Sequence, residues 1–307
     1  MNEIRTALVF PGQGSQHPEM LEAVPENDAL ERLLDAAEAL TDLQLREILV
    51  FADAEELADT RVAQPLLYLV DWAWGVALLE AGARPSAVAG HSLGELAALA
   101  IAGVVSVEAG LELVVERSKL MATTVTTVPG GMSAILGLGA EDVSSAIDGI
   151  ADVWVANDNA PKQIVITGVQ AALEEAGEAL LETGARRVVP LKVAGPFHSP
   201  LMEPARLAFE KILDEAHFRD ATIPVLQNTD PTLASDAETI KRRLAGQISA
   251  PVRWTETMNS LAAEGPTVVV EAGPGSVLRG LCRGYDELSA ISAENTAMEE
   301  LMQEVSP

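Results

Sequence analysis

The sequence predicts an α/β protein, because short apolar strands alternate with helices along most of its 307 residues. This alternation favours a parallel sheet that is covered by helices on both faces. Within residues 128–195 the predicted order is instead β-α-β-β-α-β, the ferredoxin-like arrangement. We therefore expect a large discontinuous domain, residues 1–127 and 196–307, and an inserted small domain, residues 128–195.

Compact apolar runs predict the strands, and apolar residues at helical spacing predict the helices. In the first part of the large domain we expect strands at 6–10 and 85–89, and helices at 29–49, 62–79, 95–101 and 107–121. In the small domain we expect strands at 132–138, 153–157, 163–167 and 187–193, and helices at 141–150 and 171–182. In the second part we expect strands at 223–226 and 268–271, helices at 207–217 and 255–263, and a frayed helix within 293–307.

The most informative motif is Gly90-His91-Ser92-Leu93-Gly94, which lies between a predicted strand and a predicted helix. G-x-S-x-G at such a junction is the pattern of a nucleophile elbow, where a strained turn exposes the serine hydroxyl. The start of the following helix supplies unpaired N–H groups and a positive dipole end to an anion that forms there. The motif predicts acyl transfer through a serine ester. A plain strand–turn–helix with a buried serine remains the alternative.

Composition restricts the class of protein and its partners. The chain carries 46 acidic and 20 basic residues, a formal net charge of −26, which argues against nucleic acid and anionic membranes as partners. The sequence has no stretch of 18 uncharged apolar residues, so we expect no membrane span. The N-terminus does not resemble a secretory signal. The one cysteine, Cys282, has no partner for a disulfide, so we expect a reduced, cytoplasmic protein.

Four motifs occur in a fixed order along the chain: Phe10–Gln16 (FPGQGSQ), Gly90–Glu95 (GHSLGE), Gly195–Ser199 (GPFHS) and Glu271–Gly275 (EAGPG). Each is weak alone, but together they are specific. The chain resembles the malonyl-CoA:acyl-carrier-protein transacylases and the related acyltransferase domains of fatty-acid and polyketide synthases. The resemblance covers essentially the whole chain. It implies an α/β-hydrolase-like large domain that carries the elbow, together with the ferredoxin-like insert.

The resemblance implies that Ser92 is the nucleophile and that His198, one of four histidines, is its general base. No acid is obvious as a third member of a triad. In the family, backbone carbonyls orient the histidine, including one from the segment that is here Pro251–Trp254. This chain has Arg253 where the family often has glutamine, a change that a backbone contact would tolerate. His91 is expected to make a supporting polar contact or to have a structural role.

Other residues are assigned to the oxyanion and the substrate by the same resemblance. The backbone N–H groups of Gln13 and Leu93 would bind the oxyanion. Arg117 would hold the malonyl carboxylate through two parallel hydrogen bonds, and Gln64 would line the same cavity. The alternatives are a surface Arg117 paired with a neighbouring glutamate and a Gln64 that only bonds the helix start. A bulky Phe197 beside the base predicts a preference for malonyl over methyl-branched acyl groups.

The expected partners are malonyl-CoA and an acyl carrier protein. Arg186 and Arg187 match a basic pair implicated in carrier docking, and Arg283 is a further candidate, although all three could simply be solvated charges. Asn157–Asn159 resembles an asparagine-rich loop at the mouth of the cleft, or else forms a hairpin turn. We expect a monomer with no metal and no other cofactor.

Four alternative functions remain open at this point. The same fold and serine chemistry would suit the acyltransferase subunit of malonate decarboxylase, or a freestanding acyltransferase of a polyketide synthase. A serine hydrolase or thioesterase would release the acyl group to water, but it has no need for Arg117 or for a carrier-binding insert. A binding module without activity is the least favoured, because every proposed reactive residue is present.

Overall fold

The computed structural model describes residues 5–53 and 55–305. Within these residues the strands are β1 Arg5–Phe10, β2 Ala87–Gly90, β3 Gly131–Leu136, β4 Val153–Ala160, β5 Gln163–Gly168, β6 Arg187–Pro190, β7 Val225–Leu226, β8 Thr267–Glu271 and β9 Leu288–Ser292. The helices are α1 Asp28–Thr41, α2 Leu45–Phe51, α3 Thr60–Ala81, α4 Gly94–Ile101, α5 Val107–Thr127, α6 Ala140–Ile147, α7 Gln170–Thr183, α8 Glu203–Glu215, α9 Ala237–Gly246, α10 Trp254–Ala263, α11 Val277–Leu281 and α12 Met298–Val305.

Five of these strands form one parallel sheet in the order β7-β2-β1-β8-β9. Its central strands are buried on both faces, which explains their continuous apolar sequences. The sheet brings the ends of β1 and β2 side by side, with Phe10 opposite Gly90. The loops that follow these two strands therefore meet at the carboxyl edge of the sheet, where open α/β sheets bind their ligands.

The other four strands form an antiparallel sheet in the order β4-β5-β3-β6. Helices α6 and α7 cover it and share a separate apolar core with its strands. The element order β3-α6-β4-β5-α7-β6 confirms the predicted ferredoxin-like arrangement. The exact limits of the small domain, 128–195, stay a prediction.

The small sheet is joined to the segment before α10 of the large domain through the bulged end of β4. The register of β4 against β5 shifts between Val155 and Asn157 and again between Asp158 and Ala160. Here the Asp158 N–H donates to the Val252 carbonyl at 2.9 Å, and the Val252 N–H donates to the Ala156 carbonyl at 2.8 Å. The prediction that 157–159 forms a loop or a hairpin turn was therefore wrong, because pairing on both sides keeps this polar segment within a strand.

Some predicted elements differ from those observed. The helical periodicity over 29–49 belongs to two helices, α1 and α2, because Asp42 takes a left-handed conformation with φ of 56° and ends the first one. Helix α8 begins at Glu203, four residues before the predicted 207. The sequence patterns did not predict α9, α11 and β9. The C-terminal helix α12 is confirmed through Val305, and residues 306–307 of the prediction lie outside the described residues.

Helix α3 is long and apolar enough to cross a membrane by length and composition, with a mean hydropathy of 1.4 over an 18-residue window. However, 78% of that window is buried inside the protein. Its residues pack against α1, α4 and α5 in the main apolar core. We therefore describe α3 as a core helix. No other helix among the described residues is long and apolar enough to cross a membrane.

Candidate active site

The serine motif forms a sharp turn between β2 and α4. Ser92 has a φ of 51°, in the left-handed region that residues other than glycine rarely adopt. A Cβ at Gly90 would lie 1.9 Å from the backbone of Gly94, and a Cβ at Gly94 would lie 2.1 Å from the carbonyl oxygen of Phe10. Both flanking glycines are therefore required by close backbone approach. This is the geometry that the G-x-S-x-G pattern predicts.

His198 lies against the serine. The distance from Ser92 Oγ to His198 Nε2 is 2.8 Å, although 106 residues separate the two in sequence. His198 is 4% exposed and, like the serine, has a left-handed backbone with φ of 57°. The structure thus brings together a hydroxyl and an imidazole at hydrogen-bond distance, which is what an activated serine needs.

Two backbone carbonyls orient the imidazole. His198 Nδ1 lies 3.1 Å from the carbonyl oxygen of Gln247 and 3.1 Å from that of Ala250. Carbonyls only accept, so Nδ1 carries the proton and Nε2 presents its lone pair to the hydroxyl of Ser92. The prediction that Pro251–Trp254 supplies one of these carbonyls was therefore wrong, because Ala250 precedes that segment. The Arg253 side chain instead donates to Glu256, with Nε at 2.6 Å from Oε1.

The pKa of His198 is lowered to about 3, mainly by burial and further by the positive charge of Arg117. The two carbonyls that accept from Nδ1 act in the opposite direction, but more weakly. The imidazole is therefore neutral at physiological pH, which is the form that accepts a proton.

Arg117 projects from α5 into the same site and is 1% exposed. Its Nη1 donates to Gln64 Oε1 at 2.7 Å, and its Nη2 donates to Gln247 Oε1 at 2.9 Å and to Ser92 Oγ at 3.2 Å. Arg117 is therefore not a surface arginine paired with a nearby glutamate, and Glu116 pairs with Lys119 instead. Gln64 is equally buried, and its Nε2 faces the sulfur of Met121 at 3.6 Å.

Burial lowers the pKa of Arg117 to about 10, while the nearby Glu95 acts to raise it. Arg117 Nε is buried and has no hydrogen-bond partner among the described residues. An anion that binds a charged, buried and incompletely bonded guanidinium meets both an opposite charge and free hydrogen-bond donors.

The two backbone groups predicted for the oxyanion come from two different loops. Leu93 immediately precedes α4, and Gln13 lies in the loop of residues 11–16 that follows β1. Neither backbone N–H donates a hydrogen bond within the described part of the chain. The Gln13 side chain is held by its own contacts, because Nε2 donates to the Ala58 carbonyl at 2.9 Å and Oε1 accepts from Thr60 at 3.3 Å.

The His91 side chain reaches toward the small sheet. Its Nε2 lies 2.8 Å from Asn159 Oδ1, and its ring centroid lies 5.4 Å from that of Trp254. Burial is the main cause that lowers the pKa of His91. The contact with Asn159 attaches the elbow to the bulged end of β4, so it is a polar contact that also has a structural effect.

The remaining predicted residues divide between the site and the surface. Phe197 is 5% exposed and directly precedes the histidine. Arg186 and Arg187 are exposed at the start of β6, and Arg283 is exposed after α11. None of these three arginine side chains bonds to the Ser92 cluster within residues 5–53 and 55–305.

The sequence analysis missed three residues of the site. Gln247 bonds with its carbonyl to His198, with Oε1 to Arg117, and with Nε2 to the carbonyl of Ser92 at 2.9 Å. Asn228 Oδ1 accepts the backbone N–H of Ser92, and Glu95 Oε2 accepts the backbone N–H of Asn228. Only Glu95 lay within a recognised motif, as the last residue of Gly90–Glu95, where its helical register could have drawn attention to it.

A cavity of about 1030 Å³ lies between α3 and α5. It is bounded by the start of α3, the last turns of α5 and residues 192–194, and it includes Thr60, which contacts Gln13. Arg61, Lys119 and Lys192 lie along its walls. The described residues contain no cluster of three or more His, Cys, Asp or Glu side chains suited to a metal ion.

The chain matches the acyl transferase domain family over residues 7–304. It is 40% identical over 287 residues to the malonyl CoA-acyl carrier protein transacylase of Bacillus subtilis, covering 91% of this chain and 90% of that protein. The corresponding protein of Salmonella typhimurium is 39% identical over 296 residues, covering 94% and 95% of the two chains.

Solved structures agree with the sequence comparison. The chain is similar to the malonyl-CoA:ACP transacylase of Synechocystis, with a TM-score of 0.86, 38% identity, and coverage of 94% of this chain and 97% of that one. It is similar to a malonyl-transacylase solved in complex with its type II polyketide synthase acyl-carrier protein, with a TM-score of 0.89, 37% identity, and coverage of 96% and 97%.

Proposed function

Because the chain belongs to the acyl transferase domain family, we propose that it transfers a malonyl group from malonyl-CoA to the phosphopantetheine thiol of an acyl carrier protein. One observation carries the proposal. Ser92 Oγ lies 2.8 Å from His198 Nε2 and 3.2 Å from Arg117 Nη2, so a nucleophile, a base and a carboxylate-binding group meet at one point.

The first half-reaction forms an ester. His198 Nε2 takes the proton of the Ser92 hydroxyl as Oγ attacks the thioester carbonyl. The oxyanion that develops is bound by the N–H groups of Gln13 and Leu93. When the C–S bond breaks, His198 returns the proton to the departing CoA thiolate, and malonyl remains on Ser92.

The second half-reaction reverses these steps with a different thiol. His198 takes the proton of the phosphopantetheine thiol as its sulfur attacks the ester, and gives it to Ser92 Oγ as the ester breaks. No resident cofactor or metal takes part in these steps, since acyl transfer to and from serine moves only protons and the acyl group.

Arg117 selects the acyl group in this proposal. A malonyl carboxylate would accept from the guanidinium, in which Nε and one N–H of Nη1 are not already donated to Gln64, Gln247 or Ser92. The Arg117 contact to Ser92 Oγ places this carboxylate close to the ester, as a short dicarboxylic acyl chain requires. Phe197, buried beside the base, limits the space for a branch at the α carbon.

We further propose that the carrier protein docks beside the small sheet. Carrier proteins are acidic, and this chain also has a net charge of −26, so docking needs a local basic surface. Arg186, Arg187 and Arg283 are exposed and form no ion pair among the described residues.

A cytoplasmic location agrees with Cys282, a buried thiol whose pKa burial raises to about 12.

The proposal is tested by intact-mass spectrometry after brief incubation with malonyl-, methylmalonyl- or acetyl-CoA. Malonyl should add to the wild-type protein, methylmalonyl less and acetyl least. Ser92→Ala should gain no mass with any of them. Adding a carrier protein in its phosphopantetheine form should then remove the malonyl group and increase the carrier's mass by the same amount.

Two outcomes would reject the proposed function. Preferential labelling by acetyl-CoA would contradict the role of Arg117. Release of free malonate at the same rate with and without carrier would identify a hydrolase, because water would then be the acceptor.

A further inference from the structure

The Asn228 side chain bonds the backbone on both sides of the nucleophile. Its Oδ1 accepts the N–H of Ser92 at 2.7 Å, and its Nδ2 donates to the carbonyl of Gly90 at 2.6 Å. Asn228 is 1% exposed and follows β7, the sheet neighbour of β2. One side chain from the loop after β7 thus binds the last residue of β2 and the strained residue two positions later.

Asn228 is in turn held by an acid on the helix that the elbow begins. Glu95 lies three residues after Ser92 and is 1% exposed. Its Oε2 accepts the backbone N–H of Asn228 at 2.8 Å, and its Oε1 accepts Gln227 Nε2 at 3.1 Å. Gln227 Nε2 also donates to the carbonyl of Ile240 at 3.0 Å, which connects this group to α9.

We infer that Asn228, held in place by Glu95, is a positioning residue that fixes the conformation of the nucleophile elbow. This inference rests on the proposed serine chemistry. Its geometric basis is the left-handed backbone of Ser92, with φ of 51°, which persists only where surrounding contacts determine it. Asn228 supplies those contacts directly, because it binds the N–H of Ser92 and the carbonyl of Gly90.

The same contacts assign distinct tasks to two adjacent N–H groups. The Ser92 N–H is used by Asn228, while the Leu93 N–H donates to no described residue and remains for the oxyanion. If Asn228 were lost, the partly buried Ser92 N–H and the buried Gly90 carbonyl would lose these partners. The turn would then rotate to satisfy them, and Oγ and the Leu93 N–H would leave their positions together.

The inference predicts a defect in the rate of acylation rather than in substrate binding. Arg117 reaches its carboxylate site from α5 and does not contact Asn228, so the KM for malonyl-CoA should stay within about 2-fold in Asn228→Ala. The first-order rate of Ser92 acylation should fall by about 10- to 100-fold, the size of effect that a displacement near 1 Å produces.

The experiment measures this rate by rapid quench and intact-mass spectrometry, per mole of folded protein, for Asn228→Ala, Asn228→Asp, Glu95→Gln and Glu95→Ala. The aspartate substitution is informative because its carboxylate keeps an acceptor for the Ser92 N–H but cannot donate to the Gly90 carbonyl. We expect both Asn228 variants to acylate slowly. Glu95→Gln, which keeps an acceptor for the Asn228 N–H, should retain more activity than Glu95→Ala.

Ser292→Ala is the matched control, because it removes a buried hydroxyl that donates to the Gly275 carbonyl at 2.6 Å on the far edge strand β9. It should lower thermal stability without changing the acylation rate of folded protein. Wild-type acylation rates in folded Asn228→Asp, or in Asn228→Ala after correction for its folded fraction, would overturn the inference. Failure of the proposed function is distinguishable, since the wild-type protein would then not take up malonyl at all.

Discussion

The arginine inside the site and the arginines on the small sheet have the same chemistry in opposite surroundings. Arg117 is 1% exposed and donates to three side chains. Arg186 and Arg187 are exposed at the start of β6 and form no ion pair within the described chain. A buried guanidinium in fixed geometry discriminates between ligands, whereas an exposed one contributes a screened attraction of about 0–1 kcal/mol.

The difference indicates how one enzyme could separate its two tasks. Choice of the acyl group needs exact placement of one charge, and this is possible only where packing holds the side chain. Recruitment of a carrier protein needs attraction over a distance, and this depends on exposed charge. Substitutions in the two regions should therefore differ in size, in the kinetic constant affected and in sensitivity to salt.

The largest effect should come from removing the base at the buried site. His198→Ala should lower the rate of Ser92 acylation by about 10³-fold, because no other described side chain takes the serine proton. Intact-mass time courses with malonyl-CoA measure this rate. His217→Ala, which changes an exposed histidine, serves as the control and should acylate normally. A similar loss in the control would indicate a nonspecific effect on the protein.

Replacement of Arg117 should affect the choice of substrate. Arg117→Ala should lower kcat/KM for malonyl-CoA by about 100-fold, which corresponds to about 3 kcal/mol for a buried charged contact. The value for acetyl-CoA, which has no carboxylate, should change much less. Arg117→Lys should give an intermediate result, since lysine keeps the charge but not the planar pair of donors. Equal losses for both substrates would contradict carboxylate recognition.

The pH dependence should also report on the buried region. The pKa of His198 is lowered to about 3, so the imidazole is neutral over the physiological range and kcat/KM should show no acid limb near pH 6.5. The pKa of Arg117 is lowered to about 10, so its positive charge is lost as the pH rises through that value.

For malonyl-CoA, kcat/KM should therefore be nearly constant between pH 6 and about 9 and fall above about pH 10, as Arg117 loses its proton. Stopped assays after a brief pH jump measure this profile. Acetyl-CoA is the control, because its weak reaction should lack the alkaline fall that depends on the carboxylate. An acid limb near 6.5 would mean that the pKa of His198 is not lowered.

The smallest effect should come from the exposed arginines. Arg186→Glu combined with Arg187→Glu should raise the KM for the carrier protein by roughly 3- to 10-fold at low salt, with less effect at high salt because exposed charges are screened. The KM for malonyl-CoA should not change. Arg32→Glu, on the exposed face of α1, is the matched charge reversal. An unchanged carrier KM in the double variant would reject the docking surface.

Much of the fold could be predicted because its signals are local. Apolar runs identified β1 and β2, and the ferredoxin-like order of β3 to β6 followed from turn residues and periodicity. The missed elements had weaker signals. Helix α9 contains few apolar residues, and apolar and polar residues alternate only in part of β9. Neither element therefore stood out from the surrounding loops.

The sequence by itself determined the sharp turn at Ser92, since Gly90 and Gly94 allow the close backbone approach that it requires. The family resemblance that its motifs carry also indicated His198 and Arg117. Only the tertiary structure decided how these groups are held. The carbonyls of Gln247 and Ala250 orient His198, and a carbonyl contact leaves no trace in residue type. Asn228 reaches the elbow across 136 residues, and a single amide has no pattern that periodicity or spacing could reveal.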